Sequence, residues 1–341
     1  MKDRHVIIPI FVPHKGCPHD CVFCSQKKIS GQMDEMTSDQ IPKIIESHLS
    51  TIHSASKVEI AFYGGSFTAI DKTVQESFLK AAAPYLSSGK VSEIRLSTRP
   101  DHIDDENLMM LKKYGVNTIE LGVQSLDDAI LKASYRGHDV SCVYRAASLI
   151  KERGFLLGIQ TMTGLPGDTR EKCLETARKV ISISPDMVRI YPALVIKGTE
   201  LERLYRKDEY HPQTLEEAVE VCAELLELYE ASNVNVIRIG LQSNESIREG
   251  PESEVAAGPV HPAFRQLVES SRILHRLEAM IETQGLSGPA GLILFTGASN
   301  ISNTIGQRKS NIEYLKKKFS FKNILVRTDD SLGNRIRLQY L

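Results

Sequence analysis

Three cysteines within eight residues are the part of this chain best suited to chemistry. Cys17, Cys21 and Cys24 have the spacing C-x3-C-x2-C, and they follow the apolar run Val6–Val12, which predicts a β-strand. Thiolates are soft ligands that suit iron–sulfur clusters or zinc. Three thiolates can bind three irons of a [4Fe–4S] cube and leave the fourth iron open, whereas an electron-transfer cluster is normally closed by four cysteines. The spacing therefore predicts a metal site that has room for a substrate or cofactor.

Two other interpretations of these cysteines stay open at this point. A zinc ion bound by the three thiolates and by His14 or His19 would form a Cys3His set, which is known in structural zinc sites. A disulfide would suit a secreted protein, but the charged segment Met1–His5 leads straight into the predicted strand without a signal peptide. We therefore expect reduced thiols and a cytoplasmic location.

The composition is that of a globular protein with a large core. The chain has 341 residues, of which 41% are hydrophobic and 25% are charged. No apolar run approaches the length of a membrane span, so we expect no membrane partner. The formal net charge is -1, so the overall field predicts no nucleic-acid binding, and any RNA site must be a local patch.

The elements that must position the cysteines alternate between strand and helix from residue 5 to about residue 240. Repeated strand–helix units imply parallel strands with right-handed crossovers, as in a full or partial barrel or a doubly wound sheet. Predicted helices lie near 38–53, 72–87, 104–114, 139–153, 170–183 and 214–232. The predicted strands are Val6–Val12, Val58–Tyr63, Glu93–Thr98, Thr118–Gly122, Leu156–Gln160 and Met187–Tyr191.

Polar and glycine-rich residues follow the predicted strands at one end. The second strand runs into Gly64-Gly65, the third into Arg99-Pro100-Asp101, and the fifth into Gly164-Leu165-Pro166-Gly167. In parallel α/β folds, chemistry collects at the carboxyl ends of the strands. The cysteine loop and these segments are therefore expected to meet.

The pattern changes after about residue 241. A polar segment leads into a predicted helix near 263–283, and strands are predicted at Leu292–Thr296, Ile324–Val326 and Arg335–Gln339. We predict one basic helix over Ser302–Phe319, which would carry Arg308, Lys309 and Lys316 to Lys318. The expected domains are a core at 1–244 and a small α/β extension at 245–341.

The motifs together resemble the radical S-adenosylmethionine (SAM) enzymes, and most closely the radical SAM half of the Elongator catalytic subunit, which modifies wobble uridine in tRNA. The similarity covers roughly residues 5–240. It is carried by His14-Lys15-Gly16-Cys17-Pro18, Thr98-Arg99-Pro100-Asp101, Glu120-Leu121-Gly122-Val123-Gln124-Ser125, Arg136-Gly137-His138, Gly164-Leu165-Pro166-Gly167, Ile190-Tyr191-Pro192-Ala193-Leu194 and Gly198-Thr199-Glu200-Leu201.

The resemblance implies a partial (β/α)6-type TIM barrel with a C-terminal α/β extension. It implies that Cys17, Cys21 and Cys24 hold a [4Fe–4S] cluster, and that Gly64 and Gly65 contact the methionine end of SAM. Four further side chains would line the ribose and carboxylate region of SAM. They are Ser97, Gln124, Arg136 and Gln160. One electron, supplied by a reductant such as flavodoxin or ferredoxin, would cleave SAM to methionine and a 5′-deoxyadenosyl radical, which abstracts hydrogen from the substrate.

The chain also departs from the Elongator subunit. That subunit carries a basic tRNA-binding region before the barrel and an acetyltransferase domain after it. Here the first strand is predicted close to Met1, and the segment beyond residue 245 shows no acyl-CoA motif. We therefore expect a stand-alone radical SAM enzyme acting on tRNA or another RNA. The alternatives are a tetrapyrrole or other small metabolite, given a weaker likeness to coproporphyrinogen dehydrogenase, and a zinc-stabilised RNA-binding module without catalysis.

Overall fold

A sheet of seven parallel strands organises the molecule. The computed structural model describes residues 5–12, 17, 20–25, 36–53, 57–241, 247, 250 and 253–341. The sheet order is β1-β2-β3-β4-β5-β6-β8. These strands are β1 (His5–Phe11), β2 (Lys57–Tyr63), β3 (Glu93–Thr98), β4 (Val116–Gln124), β5 (Leu156–Thr163), β6 (Met187–Pro192) and β8 (Asn235–Ile239). The predicted α/β class with a partial barrel is confirmed, and β8 is an additional strand that the apolar pattern does not reveal, because Asn235 and Arg238 interrupt it.

Helices connect successive strands of the sheet. They are α1 (Gln40–Thr51), α2 (Lys72–Ser87), α3 (Asp105–Lys113), α4 (Asp128–Ala133), α5 (Val140–Glu152), α6 (Arg170–Ile183), α7 (Glu200–Arg206) and α8 (Leu215–Ala231). Many begin with a side-chain cap, such as Asp104 on the backbone N–H of Asn107, or Thr214 in a capping box with Glu217. Such caps satisfy orphan N–H groups of the first turn. They fix where each loop at the carboxyl edge of the sheet ends.

The main core lies between the sheet and these helices. Helix α9 (Phe264–Thr283) packs against α8 and belongs to two cores at once. Phe264 and Val268 join the main core, whereas Ile273 and Leu277 join a second cluster in the C-terminal part. The domain boundary predicted at 244/245 stays a prediction.

The C-terminal part is built on a three-stranded sheet with the order β11-β10-β12. Its strands are β10 (Gly291–Thr296), β11 (Asn323–Thr328) and β12 (Ile336–Tyr340). The single basic helix predicted over 302–319 is wrong. The segment forms α10 (Ile301–Ile305) and α11 (Ser310–Phe319), because Gly306, Arg308 and Lys309 have positive φ angles of 74°, 50° and 66° that no α-helix allows.

A short antiparallel pair, β7 (Val195–Ile196) with β9 (Val255–Ala257), joins the segment after the large sheet to the loop after β6. Within the described residues, no helix is both long enough and apolar enough to cross a lipid bilayer.

Candidate active site

The cysteine loop is anchored at the carboxyl edge of the large sheet through Val22. The Val22 N–H donates to the Ser134 carbonyl at 3.2 Å, and the Val22 carbonyl accepts from the Leu201 N–H at 2.7 Å. The Val22 side chain is buried against Leu201 and Tyr210. The loop after β1 is therefore held between the end of α4 and the start of α7.

Two buried arginines converge on the Cys21 thiol. The Arg136 Nη1 lies 3.1 Å from Cys21 Sγ, and the Arg99 Nη1 lies 4.0 Å from the same sulfur. Arg136 also donates through Nη2 to the Gly122 carbonyl at the end of β4. Arg136 therefore links the cysteine loop to the carboxyl end of β4.

Asp101 fixes the position of Arg99. The Arg99 Nε and Nη2 donate to the two carboxylate oxygens of Asp101 at 2.9 and 2.8 Å. Burial alone would raise the pKa of Asp101, but the hydrogen bonds and the charge of Arg99 outweigh it and hold this pKa below its ordinary value. By contrast, burial raises the pKa of the Cys17 thiol, although Arg99 and Arg136 oppose this shift.

The donor set fits a thiolate-ligated cluster. All six cysteines lie among the described residues, and none of them forms a disulfide. Across the described part of the chain, no three His, Cys, Asp or Glu side chains converge on one metal ion. A [4Fe–4S] cube does not need such convergence, because each thiolate binds a different iron. The buried Arg136 Nε has no hydrogen-bond partner among the described residues, so the site still offers a donor to an anionic group. His14 and His19 of the zinc interpretation lie outside the described residues.

The turn after β2 brings two glycines to the same edge. Gly64 and Gly65 have φ angles of 77° and 66°, which only glycine adopts readily. The following Ser66 hydroxyl bonds the Thr98 hydroxyl at 2.9 Å and accepts from the Arg99 N–H at 3.3 Å. The glycine turn is thus tied to the end of β3, next to the arginine that faces Cys21.

Gln124, at the end of β4, combines two unusual features. Its φ angle is 72°, a left-handed value that costs a non-glycine residue about 1 kcal/mol or more. It is buried, and its side-chain Oε1 has no hydrogen-bond partner in the part of the chain that the structure describes. A buried unpaired amide oxygen is unfavourable by about 1–3 kcal/mol, so this atom is set to accept a hydrogen bond from a ligand.

Ser97 and Gln160 are brought together in the interior of the half-barrel. The Gln160 Nε2 donates to Ser97 Oγ at 3.1 Å and to Glu120 Oε2 at 3.2 Å. Both hydrogens of the amide are therefore engaged. The remaining polar atom of the Gln160 side chain is Oε1.

Glu120 is the centre of a buried charge network that the sequence analysis misses. Its Oε2 accepts from Arg189 Nε at 2.5 Å, and its Oε1 accepts from Arg189 Nη2 at 3.0 Å and from Arg95 Nη1 at 3.2 Å. Glu120 is 1% exposed. Burial would raise its pKa, but the charges and hydrogen bonds of Arg189 and Arg95 hold this pKa below the ordinary glutamate value.

The network extends in both directions along the interior. Arg189 Nη2 lies 2.7 Å from the Tyr63 hydroxyl, and burial together with Glu120 raises the pKa of Tyr63. At the other end, Arg95 Nε lies 2.7 Å from the buried Glu59 carboxylate. One signal in the sequence could have found these residues. Each is a polar or charged residue inside an otherwise apolar strand that helices cover, where a solvated charge has no place.

Family models match most of the chain. The model described as the radical SAM superfamily matches residues 11–180, and the model of the radical SAM C-terminal domain matches residues 185–273. The first range runs from the end of β1 through the cysteine loop and into α6. The second includes β6, β8 and the start of α9.

Proteins of similar sequence support the same family assignment. The tRNA uridine(34) acetyltransferase of Methanocaldococcus infernus is 28% identical over 257 residues, which are 64% of this chain and 48% of that protein. Human Elongator complex protein 3 is 30% identical over 196 residues, which are 52% of this chain and 36% of that protein. The chain therefore spans about half, or less, of the length of these relatives.

The solved structure of the archaeal Methanocaldococcus infernus Elp3 with an N-terminal deletion superimposes with a TM-score of 0.63. The sequences are 24% identical, and the match covers 84% of this chain and 64% of the other. This likeness supports the fold.

Proposed function

Because the chain belongs to the radical SAM superfamily, whose enzymes use a [4Fe–4S] cluster and SAM, we propose that Cys17, Cys21 and Cys24 hold that cluster in an enzyme that modifies tRNA. When bound, the reduced cluster supplies the electron that cleaves SAM, and the 5′-deoxyadenosyl radical released abstracts a hydrogen atom from the substrate. The observation that carries the proposal is the position of Arg136, buried and 3.1 Å from the Cys21 sulfur in a C-x3-C-x2-C loop.

The arginines balance charge at the proposed cluster site. Three thiolates would bring negative charge to a site where Cys21 is buried and Cys17 and Cys24 are partly buried, and an uncompensated buried charge is costly. Arg136 offsets this charge directly at Cys21, and Arg99 adds a second cation that Asp101 holds in place. The Nε–H of Arg136, which has no partner among the described residues, is proposed to donate to the carboxylate of SAM.

The remaining side chains are proposed to bind and orient SAM. Gly64 and Gly65 expose backbone to the methionine end, because no Cβ blocks their approach and their turn is anchored to β3. The unpaired Gln124 Oε1 would accept a hydrogen bond from SAM. Gln160, held by Ser97 and Glu120, presents its own Oε1 to the ribose region.

The RNA substrate is proposed from the relatives. The protein of M. infernus that matches 64% of this chain is named for the modification of tRNA uridine 34. Since the match spans only about half of that relative, the transfer of an acetyl-derived group is not part of the proposal. We propose a SAM-dependent radical modification of tRNA in the cytoplasm, with a one-electron reductant of the flavodoxin or ferredoxin class.

The cluster is tested by anaerobic reconstitution of matched variants. We expect wild type to bind about four irons per chain and to form 5′-deoxyadenosine from SAM under a reductant. Cys21→Ser should lose both, whereas Cys142→Ser, which changes a thiol outside the loop, should keep both. Zinc with little iron in the wild-type protein would support the zinc-stabilised module and contradict the enzyme.

The substrate is tested by nucleoside analysis of tRNA from cells with and without the gene. A modified nucleoside that disappears without the gene, and returns with wild type but not with Cys21→Ser, is the expected result. If 5′-deoxyadenosine forms in vitro while the tRNA nucleosides of the two strains are identical, the substrate is a small metabolite and the RNA assignment is wrong.

A further inference from the structure

The C-terminal sheet has one covered face and one open face. Side chains alternate between the two faces of a strand, so residues two apart share a face. The covered face packs on α9 and α11. Its members are Leu292, Leu294, Ile324, Val326, Ile336 and Leu338. The residues between them form the opposite face.

The centre of that opposite face is an aromatic ring between two arginines. Phe295 on β10 is paired with Arg327 on β11 and with Arg337 on β12. The guanidinium carbon of Arg337 lies 3.9 Å from the centroid of the Phe295 ring. One row further along, Ile293 is flanked in the same way by Leu325 and Gln339. Ile293 is 6% exposed, whereas Leu325 is 47% exposed. We call these residues the open sheet face.

The open sheet face is cationic. None of its strand residues is acidic, and Arg327 forms no ion pair with any other described residue. Asp329, just beyond β11, lies 3.4 Å from Arg337 Nη2. This contact leaves the Arg337 side chain 49% exposed. One acid therefore faces two arginines, and the excess positive charge is open to solvent.

Two of the three lysines of α11, by contrast, have acidic partners. Lys318 Nζ lies 2.8 Å from Glu278 and 3.0 Å from Glu282 on α9, and Lys316 lies 3.6 Å from Glu313. The basic run predicted from the sequence therefore offers less free charge than its composition indicates. In a chain with a net charge of -1, an RNA site has to be a local excess of cations.

We propose that the open sheet face docks a single-stranded segment of the RNA substrate, an inference that rests on the proposed function. Neighbouring strands lie about 4.8 Å apart, so Arg327 and Arg337 flank Phe295 within about 10 Å and can contact phosphates on either side of a stacked base. Bases stack on aromatic rings and on guanidinium planes, and the Arg337–Phe295 pair provides both in one stack.

A second copy of the chain fits this face less well. Two copies meeting there would bring the unpaired Arg327 of each close to cationic groups of the other, and like charges oppose association. The phosphates of RNA complement the same charges. The RNA is therefore the occupant that the charge of the face favours.

The test uses the full chain and three variants in fluorescence anisotropy. The probes are a labelled tRNA transcript and a labelled single-stranded oligoribonucleotide. We expect Arg327→Gln/Arg337→Gln to weaken binding of both at low salt by about tenfold or more, and to reduce the slope of log K against log salt by about 1.4. Phe295→Leu should weaken binding by about fivefold or more with the slope unchanged.

The matched control, Lys316→Gln/Lys317→Gln, removes the same charge from α11 and should change the affinity less than twofold. All variants should melt within about 3 °C of wild type, since each change lies at or near the surface. Equal losses for the control and the arginine pair would overturn the proposal, as would an unchanged affinity for the arginine pair.

The failure of this inference is distinguishable from the failure of the proposed function. If the arginine variant binds RNA normally while tRNA in cells still depends on the gene, the RNA docks elsewhere and the enzyme assignment stands. If wild type binds no RNA and tRNA nucleosides are unchanged, both fail. If light scattering shows a wild-type dimer that the arginine variant dissociates, with RNA affinity unchanged, the occupant is a second copy.

Discussion

Replacing Glu120 by glutamine should destabilise the half-barrel far more than its small change in shape suggests. Glu120 is 1% exposed and accepts five hydrogen bonds at 2.5 to 3.4 Å, three of them from Arg95 and Arg189. The variant keeps one acceptor oxygen. Its amide group, a donor, must then face another donor. Arg189 loses its acidic partner, and Arg95 keeps only Glu59, which lies 2.7 Å away.

The magnitude follows from these contacts. Hydrogen bonds to charged groups contribute about 1.5–3 kcal/mol each, and at least one carboxylate oxygen loses its role as acceptor. Removing one partner of a buried ion pair generally costs about 3–5 kcal/mol, because the remaining charge stays buried without compensation. We therefore expect Glu120→Gln to lower the free energy of unfolding by about 3–5 kcal/mol.

The matched control is Glu224→Gln. Glu224 also accepts two hydrogen bonds from one arginine, Arg170, but that pair lies at the surface, where the side chains are 30% and 53% exposed. An exposed pair contributes about 0–1 kcal/mol. Urea unfolding of the apo protein at neutral pH, followed by circular dichroism, measures both variants. A loss below about 1 kcal/mol for Glu120→Gln, equal to the control, would refute the reasoning.

Three further predictions concern the same region. Because the folded-state pKa of Glu120 is lowered, the ionised carboxylate stabilises the folded protein above the ordinary glutamate pKa of about 4.3. This stabilisation is lost as the pH falls through the lowered folded-state pKa. The difference in the free energy of unfolding between wild type and Glu120→Gln should therefore narrow from pH 7 to about pH 3 in urea titrations. Gly158→Ala should destabilise by about 1–3 kcal/mol in thermal melting, because its Cβ would lie 2.8 Å from Glu120 Cγ and 3.3 Å from Met187 Cγ. Asp101→Asn removes the carboxylate that holds Arg99 at 2.8 and 2.9 Å. The reconstituted variant should release iron to a chelator faster than wild type, measured by its iron content over time. An unchanged rate would show that Arg99 does not need Asp101 to hold its position.

Much of the barrel could be predicted from the sequence, because its local signals agree with its tertiary structure. Six strands are apolar runs bounded by loops, and the helices between them carry clear signals, such as Asp104 before α3 and Gly115 and Gly154 after α3 and α5. The meeting of the cysteine loop with Gly64-Gly65 follows from a general rule, since parallel strands bring their carboxyl ends to one edge.

The buried charges could not be assigned in the same way. The sequence shows Arg95, Glu120 and Arg189 as charges in three separate strands, and only the strand register places them against one another. The break in the predicted basic helix was missed for another reason. The segment from Ser302 to Phe319 contains good helix formers. Arg308 and Lys309 nevertheless adopt a left-handed backbone, because tertiary structure overrides their intrinsic helix propensity.

The charge network explains why the interior below the cysteine loop can be polar and still rigid. A closed barrel is normally filled with branched apolar side chains, and replacing a buried ion pair by such residues is often neutral or stabilising. Stability alone therefore gives no reason for Glu120 at this position. Its second oxygen, however, accepts from Gln160, which donates in turn to Ser97. A satisfied network of this kind permits one arrangement of its members, so the two polar side chains that approach the site are fixed before any ligand binds.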